Sequence, residues 1–502
     1  MTIATSTLSR HARIMAAFSV LLAAVLLPLS FTGGVISTPA IQRALGGSPA
    51  ALSWLTNGFM LTFGSFLLSA GVAADITGRK RIFVAGAALF CFSSAMIGLT
   101  QHILMAGLLR SLQGLAAAMI LASGSAALAR LYEGPERTRV FSMLGTLFGV
   151  GLAFGPVVIG FITAALGWRW VYAMLALLSG IVLLIGLLFL PGAEKRQQQK
   201  TDGAGLILFT AALMLLTSAV MLIPAFGFFS LTVLALFLSA MLLFIGFASR
   251  YQNTPNPVLD ISLLLRPRFA GILLLPVATC YCYVVLLIIL PLHFMGGDGM
   301  SEARSALYLL ALTSPMLFFP SVAAMLTRWL SPATVSATGL IIASAGLLFL
   351  GYALQSSSSY FLLFSLFITG AGAALPWGLM DGLALSLVPV EKTGMAAGLF
   401  NTVRVAGEGI ALAMVSALLT EMNALNLQKT VHGYAPAVIH HAAAWLGGGN
   451  TERAAAILPA ISRMLLRDSY DSAYMFLFRV LAVVTLACAL IVWMMLGRKT
   501  PE

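Results

Sequence analysis

Fourteen apolar runs of about twenty residues recur along this chain of 502 residues, and they decide what it can fold into. A helix rises about 1.5 Å per residue, so a run of that length crosses the roughly 30 Å hydrocarbon core of a bilayer. The runs cover 14–36, 51–73, 82–100, 103–129, 140–166, 170–191, 204–222, 226–249, 269–293, 304–326, 333–353, 359–386, 394–420 and 474–496. In lipid each segment must satisfy its own backbone polar groups, and a single apolar run of this length does so only as a helix. Composition agrees. Sixty per cent of residues are hydrophobic and 9% charged, against about 25% charged in a soluble domain. The sequence therefore specifies an all-α membrane protein with fourteen transmembrane helices.

The formal net charge of +12 sits in short loops between the runs and is not interleaved with stacking aromatics, which argues against nucleic acid. Its distribution orients the chain instead. With the N-terminus placed in the cytoplasm, the inside segments carry 18 Lys and Arg. The short outside loops carry only Arg43, Arg169 and Arg304, and long loops count little. Both termini are therefore cytoplasmic. The four cysteines, Cys91, Cys280, Cys282 and Cys488, lie inside apolar runs without metal-ligand spacing and read as lipid-facing or packed thiols.

The runs group as six, two and six. A cytoplasmic N-terminus (1–13) leads into a six-helix bundle (14–191). A polar linker (192–203) follows, then two inserted helices (204–249), a Pro-containing cytoplasmic loop (250–268), a second six-helix bundle (269–496) and a cytoplasmic tail (497–502). The second bundle includes an outer loop at 421–473, the largest polar piece of the chain. Its stretch 451–467 has helical spacing of apolar residues, which fits either a helix lying at the membrane surface or a simple connection.

Three motifs arrive in chain order. After the second run come Gly71, Asp75, Gly78, Arg79, Lys80 and Arg81, a carboxylate beside a cationic triplet at the cytoplasmic mouth. In the fourth run are Arg110, Gln113 and Gly114; in the fifth are Gly145, Gly149, Gly151, Gly155, Pro156 and Gly160, small residues that permit close helix packing. The first resembles the signature loop G-x-x-x-D-x-x-G-R-(R/K)-(R/K) of the major facilitator superfamily. The second resembles its R-x-x-Q-G motif, and the third its antiporter motif, with Ile159 replacing one Gly. Trp168, Arg169 and Trp170, the stretch from Gly394 through Asn401, Arg404 and Gly407, and the long outer loop are similar to the fourteen-helix drug:proton antiporter branch. The resemblance implies a major facilitator fold and alternating access between two six-helix bundles. The fifth helix would then lie at the sliding contact, and the inserted pair would be peripheral.

A proton-coupled exporter needs a group that is charged in one access state and neutral in the other, and a carboxylic acid at membrane depth can serve. In the first bundle the acids, Asp75, Glu133 and Glu136, all fall in cytoplasmic loops. The first helix, where the branch usually carries an Asp, has Ser30, and Leu175 stands where the branch often has Asn. The usual proton site is therefore not carried over. Two acids lie within the second bundle's runs. Glu408 is near the midplane, one turn after Arg404, and Asp381 is close to the cytoplasmic end of its helix. Glu408 reads either as a proton or substrate-charge site or as a structural partner of Arg404, and Asp381 as a second coupling candidate. Arg110 has no acid on its own helix. It is expected to act in proton transfer, as in related proteins, to pair with an anionic substrate group, or to hold hydrogen bonds only. Gln113, Ser30 and Asn57 are candidate cavity residues. The six histidines give no mid-membrane pair, and His293 falls at an outer helix end.

These features describe an inner-membrane secondary exporter of amphipathic small molecules, of the drug-efflux kind, with protons, the substrate and lipid as partners. Loose selectivity would follow from apolar walls with few polar groups. The alternative is export of an endogenous, anionic metabolite, such as a siderophore, with atypical or absent proton coupling. No cofactor, metal or catalytic constellation is expected, and the chain is compatible with a monomer.

Overall fold

A computed structural model describes residues 9–192, 202–253, 266–356, 358–386, 393–430 and 433–497, and among these there is helix and no strand. The polar linker at 193–201, most of the loop at 254–265, and Lys392, His432, Arg498 and Lys499 lie outside the described residues, as do the side chains of 393–397. Among the described residues, fourteen helices are long and apolar enough to cross a membrane. In the first half they are α1 (Arg10–Ile36), α2 (Pro49–Thr77), α3 (Arg79–Leu99), α4 (Ile103–Leu131), α5 (Gly134–Leu166) and α6 (Trp168–Phe189). The inserted pair is α7 (Gly203–Phe226) and α8 (Leu231–Asn253). The second half comprises α9 (Pro267–Gly297), α10 (Glu302–Leu326), α11 (Pro332–Ala353), α12 (Ser359–Ser386), α13 (Thr393–Thr430) and α14 (Arg463–Gly497).

Local chemistry sets many of these ends. Ser48, Ser301 and Ser331 accept hydrogen bonds from the N–H groups of Ala51, Arg304 and Thr334, so α2, α10 and α11 start on capped turns. Gly78 alone separates α2 from α3, at φ +110°, a conformation that side-chain-bearing residues rarely adopt. Pro276 and Pro291 remove two N–H groups from the ladder of α9. That helix carries two wide π-turns, Cys280–Val284 and His293–Gly297.

Within the first half α1 packs on α5 and α6, and α4 lies between α2 and α3. Within the second half α11 packs between α12 and α14. The halves meet along two seams, α2 against α13 and α5 against α10, with a smaller contact of α1 on α9. At the first seam the site of a Gly64 Cβ is 2.7 Å from the Ala406 backbone. At the second a Gly160 Cβ would be 2.7 Å from the Ala306 Cβ, so neither seam tolerates a larger residue without moving.

The inserted pair departs from the expectation that it is peripheral. α8 is mostly exposed, but α7 lies against both α2 and α13, and so against both halves. Val220 and Met221 of α7 form a small core with Leu61 and Ala413, and the Ser69 hydroxyl meets that of Thr210. Asp202 caps α7 and also binds Arg250 at the end of α8, at 2.7 Å. Burial alone would raise the Asp202 carboxyl, but the Gly205 N–H and the Arg250 guanidinium outweigh it and hold the group below its ordinary value.

The outer segment is more helical than a loop at 421–473 would be. α13 continues to Thr430, short helices cover Pro436–Gly447 and Thr451–Ile457, and α14 already begins at Arg463. Polar residues can extend a membrane helix into water when they pair along it, as Arg467 does with Asp471.

Candidate functional site

The inner half of the molecule holds a buried guanidinium between two acids. Arg404 on α13 is 6% exposed; its Nη1 lies 3.5 Å from Asp381 Oδ1 on α12, and its Nε 3.9 Å from Glu408 Oε1 one turn along α13. Glu408 is buried, and Asp381 is about half exposed. Two aromatic rings bracket the guanidinium, Phe148 at 4.6 Å from α5 and Trp377 at 5.2 Å from α12. Phe148 belongs to the first half, so this cluster reaches across the interface. Gly145, one turn before Phe148, leaves room for Asp381, whose Oδ2 is 3.7 Å from where a Gly145 Cβ would stand. The spacing of Arg404 and Glu408 made their pairing readable. Phe148 and Trp377 carried no signal that distinguished them from other apolar helix residues.

The outer half holds a second buried guanidinium with a different surround. Arg110 on α4 is fully buried. Nε donates to the Leu55 carbonyl at 2.8 Å, and Nη1 to Ser30 Oγ at 3.0 Å and to Gln113 Oε1 at 2.6 Å. Gln113 passes its own N–H to Ser94 at 2.7 Å, and the Phe59 ring lies 4.5 Å from the guanidinium carbon. Nη2 has no hydrogen-bond partner and packs over Gly34, where any side chain would collide with it. These neighbours are neutral. Ser30 occupies, as an acceptor for Arg110, the position where the antiporter branch usually has its carboxylate.

A cavity of about 960 Å³ opens on the outer side, with Trp54, Asn57, Thr420, Trp445, Asp298 and Arg467 among its lining. Of the three residues expected to face a cavity, Asn57 lines this one. Ser30 and Gln113 are fully buried against Arg110 instead, because its N–H groups need acceptors more than the cavity needs polar walls.

The cytoplasmic motif links α2, α3 and α4. Arg79 binds Asp75 at 3.0 Å and donates to the Ala126 carbonyl of α4 at 2.6 Å; Gly71 faces Ala122, Lys80 is half-buried and Arg81 exposed. The glycines of α5 divide their work. Gly151 and Gly155, both ahead of Pro156 inside the helix, fit α1 against Val25, Pro28 and Thr32 within the first half. Gly160 meets α10 of the second half. Only part of that motif therefore lies at the contact between halves. The sequence also gave no hint of a cluster at the outer end of α9, where His293, Asp298, Arg467 and Asp471 meet.

Two helical halves meeting across a membrane, with buried charges at and beside their seams, define a membrane solute transporter. The chain belongs to the Major Facilitator Superfamily, whose family model matches residues 18–412. It is a multi-pass protein of the bacterial inner-membrane type. It is 29% identical over 432 residues to the probable actinorhodin transporter of Streptomyces coelicolor, covering 81% of this chain and 73% of that one. With the tetracenomycin C resistance and export protein of Streptomyces glaucescens it shares 26% over 409 residues, 79% of this chain and 74% of the relative. Its fold matches a bacterial homologue of the human lysosomal transporter Spinster at TM-score 0.66 and 14% identity, over 98% of this chain and all of that one.

Proposed function

We propose that this protein exports amphipathic small molecules in exchange for protons, by alternating access between the halves at 14–191 and 269–496, with 204–249 as an inserted pair. It acts as a carrier and not as an enzyme, with substrate, protons and lipid as its partners. The relatives named for resistance and export support the direction and the substrate class. The single observation that carries the coupling is the Arg404 cluster, with two acids on one guanidinium and a ring from the opposite half stacked on it. A proton on Glu408 removes one of the two negative charges facing Arg404 and leaves Asp381 as its counter-ion. That redistribution weakens or strengthens the contact with Phe148 and so favours one access state. Substrate charge can do the same work by replacing the proton.

A second reading, export of an anionic metabolite with weak or absent proton coupling, is favoured by Arg110, which has neutral neighbours and an unpartnered Nη2 amino group.

The test uses purified protein in liposomes enclosing a pH-sensitive dye, under an imposed pH gradient, with cationic, neutral and anionic amphiphiles. Substrate-triggered proton flux in the wild type that Glu408→Gln abolishes is the expected result. Transport without proton flux, unchanged in that variant, refutes antiport through Glu408, and transport confined to anions selects the second reading.

A further inference from the structure

At the outer end of α9, His293 is 1% exposed and lies between two carboxylates from separate parts of the chain. Nε2 is 3.0 Å from Asp471 Oδ1 on α14, and Nδ1 is 3.6 Å from Asp298 Oδ2 in the turn that leaves α9. Arg467 of α14 closes the group, 2.6 Å from Asp298 and 3.8 Å from Asp471. Tyr470 stacks on the imidazole at 5.2 Å with an interplanar angle of 11°, and the Tyr474 ring meets it at 4.6 Å. The Tyr474 hydroxyl donates to the Ile289 carbonyl at 3.0 Å, which fixes that wall of the site. From α10, Tyr308 interacts with Asp298 and with Arg304, and from the outer segment the uncharged Thr451 donates to the Gly296 carbonyl.

A carboxylate oxygen only accepts hydrogen bonds, so Nε2 donates to Asp471, and Nδ1, which has no hydrogen-bond partner and faces Asp298 at 3.6 Å, meets that oxygen favourably only as an N–H. Neutral imidazole carries one N–H and would turn a lone pair towards the second carboxylate, whereas imidazolium carries two. Charge balance points the same way. Two partly exposed carboxylates and one half-exposed guanidinium leave a single negative charge around the buried ring, and an imidazolium cancels it. At Asp298, burial pushes the carboxyl up, but His293 and Arg467 outweigh it and hold the group below its ordinary value.

We propose that His293, clasped by Asp471 and Asp298, is a proton-binding site at the outer mouth of the carrier, separate from the acids of the inner half. Its proton comes from the outside water and returns there. Asp298 and Arg467 also line the outer cavity, so gain of the proton adds a positive charge beside the cavity wall and a cationic clasp between the carboxylates on either side of the imidazole. Loss of it turns a ring lone pair towards one carboxylate and leaves Arg467 as the cation between Asp298 and Asp471, which weakens the hold of the outer end of α9 on α14. The proton site stands on the cluster's own geometry; its effect on transport rests on the export reading.

Two measurements on the full-length protein test it. In ¹⁵N-histidine-labelled protein in lipid nanodiscs, the resonances missing from His293→Gln identify this ring. The expected record has both nitrogens protonated in acid and one in alkali, with a midpoint that Asp471→Asn shifts by about one pH unit or more. A ring fixed in one state from pH 5 to 9, or a midpoint indifferent to Asp471→Asn, overturns the site. In proteoliposomes with the inner pH held constant, wild-type efflux should follow outer pH over the same range, and His293→Gln should flatten that profile. An unchanged profile overturns the link to the cavity. A clear ring titration with no flux of any amphiphile overturns the export reading alone and supports the proton site.

Discussion

Arg110 and Arg404 are both buried guanidinium groups stacked on aromatic rings, one in each half of the protein, and they differ in what neutralises them. Arg404 has Asp381 and Glu408, groups that can change charge. Arg110 has a serine, a glutamine and a backbone carbonyl, groups that cannot. A buried cation surrounded by fixed dipoles is held in one state across the working pH range. One facing two acids loses a counter-charge when either acid binds a proton, which is the change the proposed exchange requires. On the proposed reading coupling belongs to the second half, while Arg110 of the first half binds α1 through Ser30 and α2 through Leu55.

Removing the cation from the switchable cluster should have the largest effect. Arg404→Leu leaves Asp381 and Glu408 facing one another near the Phe148 and Trp377 rings. It should cost about 3–5 kcal/mol, the range for breaking a buried pair from one side, and abolish efflux. Thermal unfolding in detergent and a liposome efflux assay measure the two; a loss under about 1 kcal/mol would erase the distinction between the arginines. Next comes Ser30→Asp, which gives Arg110 the charged acceptor it lacks. A hydrogen bond to a charged group is worth about 1.5–3 kcal/mol, so unfolding should move to higher temperature. Proton flux per substrate, read with the dye assay, should change at the same time. If neither moves, the neutral surround of Arg110 is incidental.

Phe148→Leu should act more weakly, by about 0.5–2 kcal/mol, since it removes one aromatic face and keeps the ion pairs. Its effect should appear in the efflux rate more than in unfolding, because the ring spans the interface. The smallest effect serves as the control pair at the water edge, Asp202 with Arg250. The Asp202 carboxyl is lower in the folded protein than in the unfolded chain. Its stabilisation is therefore present above the ordinary carboxylate range and is lost as pH falls through the lowered value. Unfolding temperatures of wild type and Asp202→Asn, compared from pH 7 down to pH 3, should converge at the acid end.

The spans were legible because lipid demands a length and polarity that few other arrangements share, and all fourteen runs correspond to membrane-length helices. The pairing of Arg404 with Glu408 was legible for a similar reason, since residues one turn apart share a helix face. Contacts between distant segments were not. His293 and Asp471 are 178 positions apart, and nothing in either neighbourhood announces the other. Phe148 and Trp377 are two aromatics in a chain holding 31 Phe and 7 Trp, and only the fold selects them. The seat of α7 was misjudged because an apolar helix reads the same whether lipid or protein covers it.

That seat makes the two flanks of the carrier unequal. α7 covers the groove where α2 meets α13, and on the opposite flank α5 and α10 touch through Gly160 without help from the inserted pair. The α2–α13 seam is thus screened from lipid by a third helix, and any parting of the halves there has to carry or shed α7.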